Sequence, residues 1–422
     1  MYDKRMILRM GFDINVWKDI FKIHKYFRKD KSYNIFRGIK TALFILKNER
    51  IVRHDGTYII STFMPAFGTE AFITNLKAVK NVDEPFKSQI LSKRSAPISM
   101  YLEITKACNL KCEHCSSHYK CDKVEMTIED WKKVVKEIQD MGVSDIGITG
   151  GEPLLKKGYI DLVKSISNKS RIILFTNGYY LTEEIAKQLK EAGLYAIGIS
   201  LDSHIESVHN ERRKDNFAYQ KAIEAIEYAN KAGLYTMIQT VILKDELNED
   251  NIFDFFRKCA ELNVDEVKIL EPIRSGRYMV SDEGKKIFYD KASRSKLIGY
   301  QHKANKSRKY PKITTFAYTE SQEKYGCGAG NQHSYINAYG DLMPCDFVPM
   351  KFGNVRENNV KKLWTEMNQA LDGPKIGCFA NRVNMKISKL GLSEYPLNKK
   401  DSCIICENHP KNGITEFEKL VG

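Results

Sequence analysis

From Ile98 to Leu270 short apolar runs alternate with amphipathic stretches in a regular rhythm. Apolar strands are read at 98–104, 145–149, 171–175, 196–201, 235–243 and 265–270, and the period lengthens to that of a helix between them. Thr127, with Asp130 three residues on, opens one helix that Gly142 ends. Thr182, followed by Glu183 and Glu184, opens another that stops at Gly193, and a third stops at Gly233. Strand–helix units in series predict an α/β fold with a parallel sheet, right-handed crossovers and curvature into a partial barrel. In such folds the working residues sit at the C-terminal ends of the strands.

The flanks follow other patterns. Trp17, Ile20, Phe21, His24 and Phe27 recur at helical spacing between Ile14 and Phe27, and Ile35, Ile39, Ala42, Leu43 and Leu46 do so after Ser32. These predict two basic amphipathic helices, followed by a strand pair at Ile51–Arg53 and Tyr58–Thr62 that turns at Asp55-Gly56. The favoured reading packs the apolar faces on each other or on the next domain; a membrane surface or a peptide is the alternative partner. Arg274 to Lys312 shows no strong period and reads as a helix from Asp282 to Ile298 and then a loop. The expected organisation is a basic, mainly helical N-terminal region (1–95), a barrel (96–275), a basic linker (276–320) and a small cysteine-rich C-terminal domain (321–422).

Composition narrows the class. A chain of 422 residues, 42% hydrophobic, can bury a large core, and no run approaches the ~20 apolar residues of a spanning helix. No basic start followed by an apolar stretch and a cleavage site is seen, so a cytoplasmic location is expected. Thiols stay reduced there, and ten cysteines then point to metal or redox chemistry rather than disulfides. The net charge of +14 is concentrated: residues 1–55 carry 14 Lys or Arg against 6 Asp or Glu, and 271–312 carry 12 against 4. Such surfaces suit an acidic leader peptide or anionic lipid head groups, with possible membrane-surface contact through residues 1–55, or they are solvated lysines. No nucleic-acid-binding motif accompanies them, and no nucleic-acid partner is expected.

Cys108-Asn-Leu-Lys-Cys112-Glu-His-Cys115 follows the first strand. Three thiols in one loop would leave one iron of a [4Fe-4S] cube without a protein ligand, and an open position is where chemistry happens. A zinc knuckle lacking its fourth ligand, with His114 and His118 nearby, and three unrelated buried cysteines are the alternatives. The second strand ends in Thr149-Gly150-Gly151-Glu152-Pro153, the third in Thr176-Asn177-Gly178 and the fourth in Ser200-Leu201-Asp202. Paired glycines let backbone approach a ligand closely, Glu152 can receive an ammonium group, and polar strand ends suit ribose hydroxyls or a carboxylate. Later, Cys327, Cys345, Cys403 and Cys406 supply four thiolates, enough to close a cluster or to hold tetrahedral zinc. Cys259 reads as core, Cys378 as a spare ligand, a substrate-side thiol or a small hydrophobe, and Cys121 as undecided.

The Cys-x3-Cys-x2-Cys loop with His114 before its last cysteine, together with Gly150-Gly151-Glu152-Pro153, resembles the radical S-adenosylmethionine (radical SAM) superfamily over roughly residues 96–410. The resemblance implies a partial (β/α)6 TIM-like barrel of the radical SAM type and a [4Fe-4S] cluster on Cys108, Cys112 and Cys115. The open iron would chelate the amino and carboxylate groups of SAM, with His114 against the adenine. Gly150, Gly151 and Glu152 would meet the methionyl amino group, and Asn177, Ser200 and Asp202 the rest of the nucleotide. Relatives often have an arginine facing SAM near Glu211-Arg212-Arg213, but the usual Arg-Gly is absent and neither arginine is assigned.

Cys327-x12-Gly340-x4-Cys345, followed by Phe352-Gly-Asn-Val and Lys362-Leu-Trp364, resembles the SPASM or twitch extension. It implies an auxiliary [4Fe-4S] cluster on Cys327, Cys345, Cys403 and Cys406. A full SPASM domain continues Cys-x2-Cys-x5-Cys-x3-Cys; here no cysteine follows Cys406 and position 412 is Asn, so one auxiliary cluster is expected. The implied activity is that of a radical SAM oxidoreductase or maturase. Reductive cleavage of SAM gives a 5'-deoxyadenosyl radical that removes hydrogen from an unactivated carbon. A peptide or protein substrate and an electron donor such as flavodoxin or ferredoxin are the expected partners. The same chemistry on a lipid or carbohydrate, and a non-catalytic iron-sulfur or zinc protein, are the alternatives.

Overall fold

The computed structural model describes residues 2–118, 123–279, 287–390 and 395–421. All of the expected barrel strands form: β3 (Ser99–Glu103), β4 (Asp145–Thr149), β5 (Arg171–Thr176), β6 (Ala196–Ser200), β7 (Tyr235–Val241) and β8 (Glu266–Leu270), each parallel to the next. Their outward residues, such as Met100, Leu102, Ile146, Ile148, Ile197 and Ile199, are buried under the covering helices. The inward set alternates with them, as the pleat of a strand requires. Two inward positions are glycine for a steric reason. A Cβ on Gly147 would lie 2.3 Å from the Tyr101 ring, and one on Gly198 2.6 Å from the Phe175 ring, so their neighbours' aromatic side chains fill that space.

The sheet is larger than the sequence pattern implies. β9 (Lys312–Thr315) lies within the stretch expected to be a linker and pairs parallel with β8. β10 (His333–Ile336), from the cysteine-rich region, pairs parallel with β3 and carries antiparallel β11 (Leu342–Met343). The nine-stranded order is β11-β10-β3-β4-β5-β6-β7-β8-β9, so the sheet is open between its edge strands β9 and β11. β9 escapes a reading by composition because its lysine is not a surface group. Buried Lys312 sends Nζ to Glu49 at 3.0 Å and to the carbonyls of Arg50 and Ile60. Of the helix expected from Asp282 to Ile298, residues 282–286 lie outside the described residues; from Lys291, where Asp290 caps it through Ser293 N–H, a helix runs to Lys306.

The N-terminal region seals the amino end of the barrel. β1 (Val52–His54) and β2 (Thr57–Ile59) form the expected hairpin, and Ile59 and Ala66 pack on Ile173, Phe175, Ala196, Tyr235 and Met237. Below them Arg171 grips Asp145 with two bonds of 2.7 and 2.8 Å and donates to the Thr62 carbonyl. Ahead of the hairpin come α1 (Lys4–Gly11), α2 (Ile14–Phe27) and α3 (Ile35–Leu46). The last two match the predicted helices. Their apolar faces do not pack as expected: α2 buries Val16, Asp19 and Phe27, while Trp17, Ile20, Phe21, Ile35, Ile39 and Leu43 stay exposed. The reason is that α2 carries apolar side chains on two sides, and the core takes only one. Among the described residues no helix is long and apolar enough to cross a membrane.

Candidate active site

The cysteine loop leaves β3 at the carboxyl end of the barrel. Leu110 N–H donates to Cys108 Sγ at 3.4 Å, and Cys115 N–H to the Cys112 carbonyl, so the backbone wraps inward around its thiols. Cys112 and Cys115 lie close enough to Cys108 to act on it electrostatically, so one loop offers three thiols to a single group, the donor set of a cluster or a metal ion. Glu103, buried at the end of β3, holds the loop's far side through Ser117 and through Lys106 at 2.8 Å, and its other oxygen accepts from Ala338 N–H at 3.0 Å.

The other predicted residues converge here, some in roles that the sequence does not disclose. Gly150 and Gly151 approach the chain itself: a Cβ on Gly151 would lie 2.3 Å from the Ala107 carbonyl oxygen and one on Gly150 2.8 Å from that of Thr105. Gly151 and Glu152 N–H groups bond those same carbonyls at 2.7 and 2.8 Å, locking the turn to the root of the cysteine loop. The Glu152 side chain is buried and accepts from Thr176 Oγ, Asn177 N–H and Leu154 N–H. Burial pushes its pKa up to about 7 against those three bonds. Asn177 in turn donates to Asn109 Oδ1 at 2.9 Å, inside the cysteine loop. Ser200 closes β6 at the same end of the sheet.

Asp202 and His114 meet Arg213, which sequence reasoning left unassigned. Arg213 Nε donates to Asp202 Oδ2 at 2.7 Å and Nη1 approaches Cys112 Sγ at 3.7 Å, while His114 Nε2 lies 3.7 Å from the same carboxylate. Burial drives the His114 pKa down to about 4. Glycine at 276 is the second residue missed. It has φ +53°, and a Cβ there would fall 1.9 Å from the Cys115 carbonyl oxygen; the next residue, Arg277, donates to that oxygen and to the Lys111 carbonyl. The start of the basic segment therefore clamps the loop. Gly276→Ala is expected to lower stability by roughly 1–3 kcal/mol and to shift the loop. Urea denaturation and the visible absorption of the reconstituted protein check this.

The C-terminal cysteines divide into two sets. Cys327, Cys345 and Cys378 line one cavity of about 160 Å³ together with Tyr101, Lys268, His333 and Asp346. Cys403 and Cys406, on the helix Lys399–Glu407, are not among its lining residues. Asn412, where a full motif has cysteine, bonds the Ile376 backbone through both side-chain atoms, at 2.8 and 3.0 Å, two residues before Cys378. Cys345 Sγ donates to Asp346 Oδ1 at 3.3 Å, with His333 Nε2 3.7 Å from that oxygen. Cys259 is buried on its helix, as expected, and Cys121 lies outside the described residues.

Comparison with known proteins agrees with this architecture. Residues 102–256 match the family described as Radical SAM superfamily, and residues 327–386 match SPASM, described as an iron-sulfur cluster-binding domain. The chain is 27% identical over 300 residues to AdoMet-dependent heme synthase of Methanosarcina barkeri, spanning 65% of this chain and 84% of that protein. It is 26% identical over 295 residues to the sporulation killing factor maturation protein SkfB of Bacillus subtilis, spanning 69% of each. Streptococcus suis SuiB bound to its precursor peptide SuiA superposes with a TM-score of 0.56 at 19% identity, over 78% of this chain and 82% of that one, a likeness of fold.

Proposed function

This chain belongs to the radical SAM superfamily and carries a C-terminal SPASM iron-sulfur domain, and from that premise we propose that it modifies a peptide or protein oxidatively, by crosslinking or oxidising a side chain. It is an enzyme of [4Fe-4S] clusters and SAM. When bound, these supply a carbon radical able to take hydrogen from an unactivated C–H bond. Cys108, Cys112 and Cys115 would hold the first cluster, with His114, Gly150, Gly151, Glu152, Asn177, Ser200 and Asp202 around SAM. For the auxiliary cluster the cavity favours Cys327, Cys345 and Cys378 over the pair Cys403 and Cys406. A cytoplasmic location and reduction by a flavodoxin or ferredoxin fit this chemistry.

The chain's own residues then have defined tasks. Glu152 pins the ends of β4 and β5 together, Arg213 couples Asp202 to the cysteine loop, and Glu103 joins that loop to the C-terminal region. The observation that supports the substrate class is the space between the barrel and the auxiliary cysteines, lined on the barrel side by Tyr101 and Lys268. A side chain entering there meets Lys268, which is buried among the rings of Phe63, Tyr101, Phe175 and Phe316 with no carboxylate within 4.0 Å among the described residues. Burial lowers its pKa to about 8. An acidic group on the substrate suits that site.

The peptide reading is supported by SuiB and by SkfB, whose names state a precursor peptide and the maturation of a killing factor. The test incubates anaerobically reconstituted enzyme with dithionite, SAM and the short peptides encoded beside its gene. Release of 5'-deoxyadenosine with a peptide lighter by about two mass units, the loss of two hydrogens, is the expected result. Nucleoside release with every peptide unchanged overturns the peptide substrate.

A further inference from the structure

The first two helices present a surface with an unusual composition. Leu8, Phe12, Ile14, Trp17 and Phe21 cluster about the α1–α2 turn and are between 54% and 84% exposed. The turn is fixed: Trp17 Nε1 donates to the Gly11 carbonyl at 2.8 Å, and Asp3 and Asp13 cap the two helices. Soluble surfaces carry scattered apolar residues, but a cluster with two phenylalanines and a tryptophan marks an interaction site.

The surrounding charge has one sign. Arg5, Arg9, Lys18, Lys22 and Lys25 are exposed on these helices, while every carboxylate of the first 28 residues is engaged. Asp3 accepts from Met6 N–H and from Arg308, Asp13 from Asn15 N–H and the Tyr58 hydroxyl, and Asp19 is buried and accepts from Lys22. What faces outward is therefore aromatic and aliphatic side chains among cations. α3 repeats the pattern with exposed Phe36, Ile39 and Leu43 beside Lys40.

We infer that α1 and α2 dock this enzyme on an anionic lipid bilayer. A helix that lies in the membrane interface places its apolar side chains below the headgroups and its Lys and Arg among them, and each cation near an anionic surface adds to the attraction. A bilayer needs protruding apolar groups with cations at their rim, and these helices supply both. The core side of α2 is already occupied by Val16 and Phe27, so docking requires no opening of the fold.

Tryptophan emission gives a direct readout, because Trp131 and Trp364 are buried and Trp17 is the exposed one. Full-length reconstituted enzyme is mixed with phosphatidylglycerol/phosphatidylcholine vesicles and with phosphatidylcholine vesicles alone, then sedimented. Binding to the anionic vesicles, a blue shift of emission and weakening by salt are expected. The Phe12→Ser/Phe21→Ser variant is expected to bind roughly tenfold or more weakly while keeping its circular dichroism and 5'-deoxyadenosine release. No sedimentation with anionic vesicles overturns the inference, as does unchanged binding by the variant. A dimer in light scattering that the variant dissolves assigns the face to a second copy, and an emission shift with an acidic peptide but not with vesicles assigns it to a peptide. Each of these also overturns it. None depends on the substrate class proposed above.

Discussion

Cys112→Ala is expected to abolish 5'-deoxyadenosine release and to lower reconstituted iron from about eight to about four atoms per chain, the content of one cube rather than two. Cys378→Ala is expected to remove the same amount of iron while reductive SAM cleavage persists. The contrast comes from placement. Cys112 sits in the loop tied to the Gly151 turn and Arg213, whereas Cys378 lines the cavity with Cys327 and Cys345. Iron analysis and chromatography of the nucleoside products separate the two outcomes. If Cys378→Ala keeps its iron and Cys406→Ala loses it, the auxiliary ligands are the pair that sequence spacing implies. If Cys112→Ala keeps both iron and nucleoside release, the loop is not the SAM-cleaving centre.

Arg213→Met is expected to cost about 3–5 kcal/mol at neutral pH, because it leaves the buried Asp202 carboxylate without its cation. Arg213→Met/Asp202→Asn should recover much of that loss. Acid distinguishes this effect from simple loss of packing. Burial alone would raise the Asp202 pKa, but Arg213, His114 and His209 outweigh it and hold the carboxyl well below its usual range. A folded pKa depressed in this way stabilises the protein above the unfolded value of about 3.9, and that stability is lost as pH falls through the folded value. Without Arg213 burial dominates, so the carboxyl protonates sooner and the gap between variant and wild type narrows below about pH 4. Urea midpoints at pH 7 and at pH 3.5 measure it; an equal gap at both would mean that Arg213 acts by packing.

Much of the site was legible because it is local. The strand positions, the Thr127–Asp130 cap, the Gly150-Gly151-Glu152 turn and the cysteine loop are each set by residues a few positions apart, and the structure returns each of them. The exact reason for the glycines was not legible: their Cβ positions are filled by the backbone of Thr105 and Ala107, more than 40 residues earlier in the chain. Arg213 was missed because a motif was sought beside it, whereas its partner Cys112 is 101 residues away. Gly276 was missed because it falls in a segment without period.

The sequence by itself determined where the six strands from β3 to β8 and the helices between them form, which of those strand ends carry polar groups and which cysteines share a loop. These follow from side-chain period and from bonds that span one turn. Tertiary structure alone decided that β9 on one side and β10 with β11 on the other complete the sheet, that Cys378 faces the cavity with Cys327 and Cys345, and that Trp17 and Phe21 face outward. Periodicity states which side of an element is apolar; what covers that side depends on how distant parts of the chain close on one another.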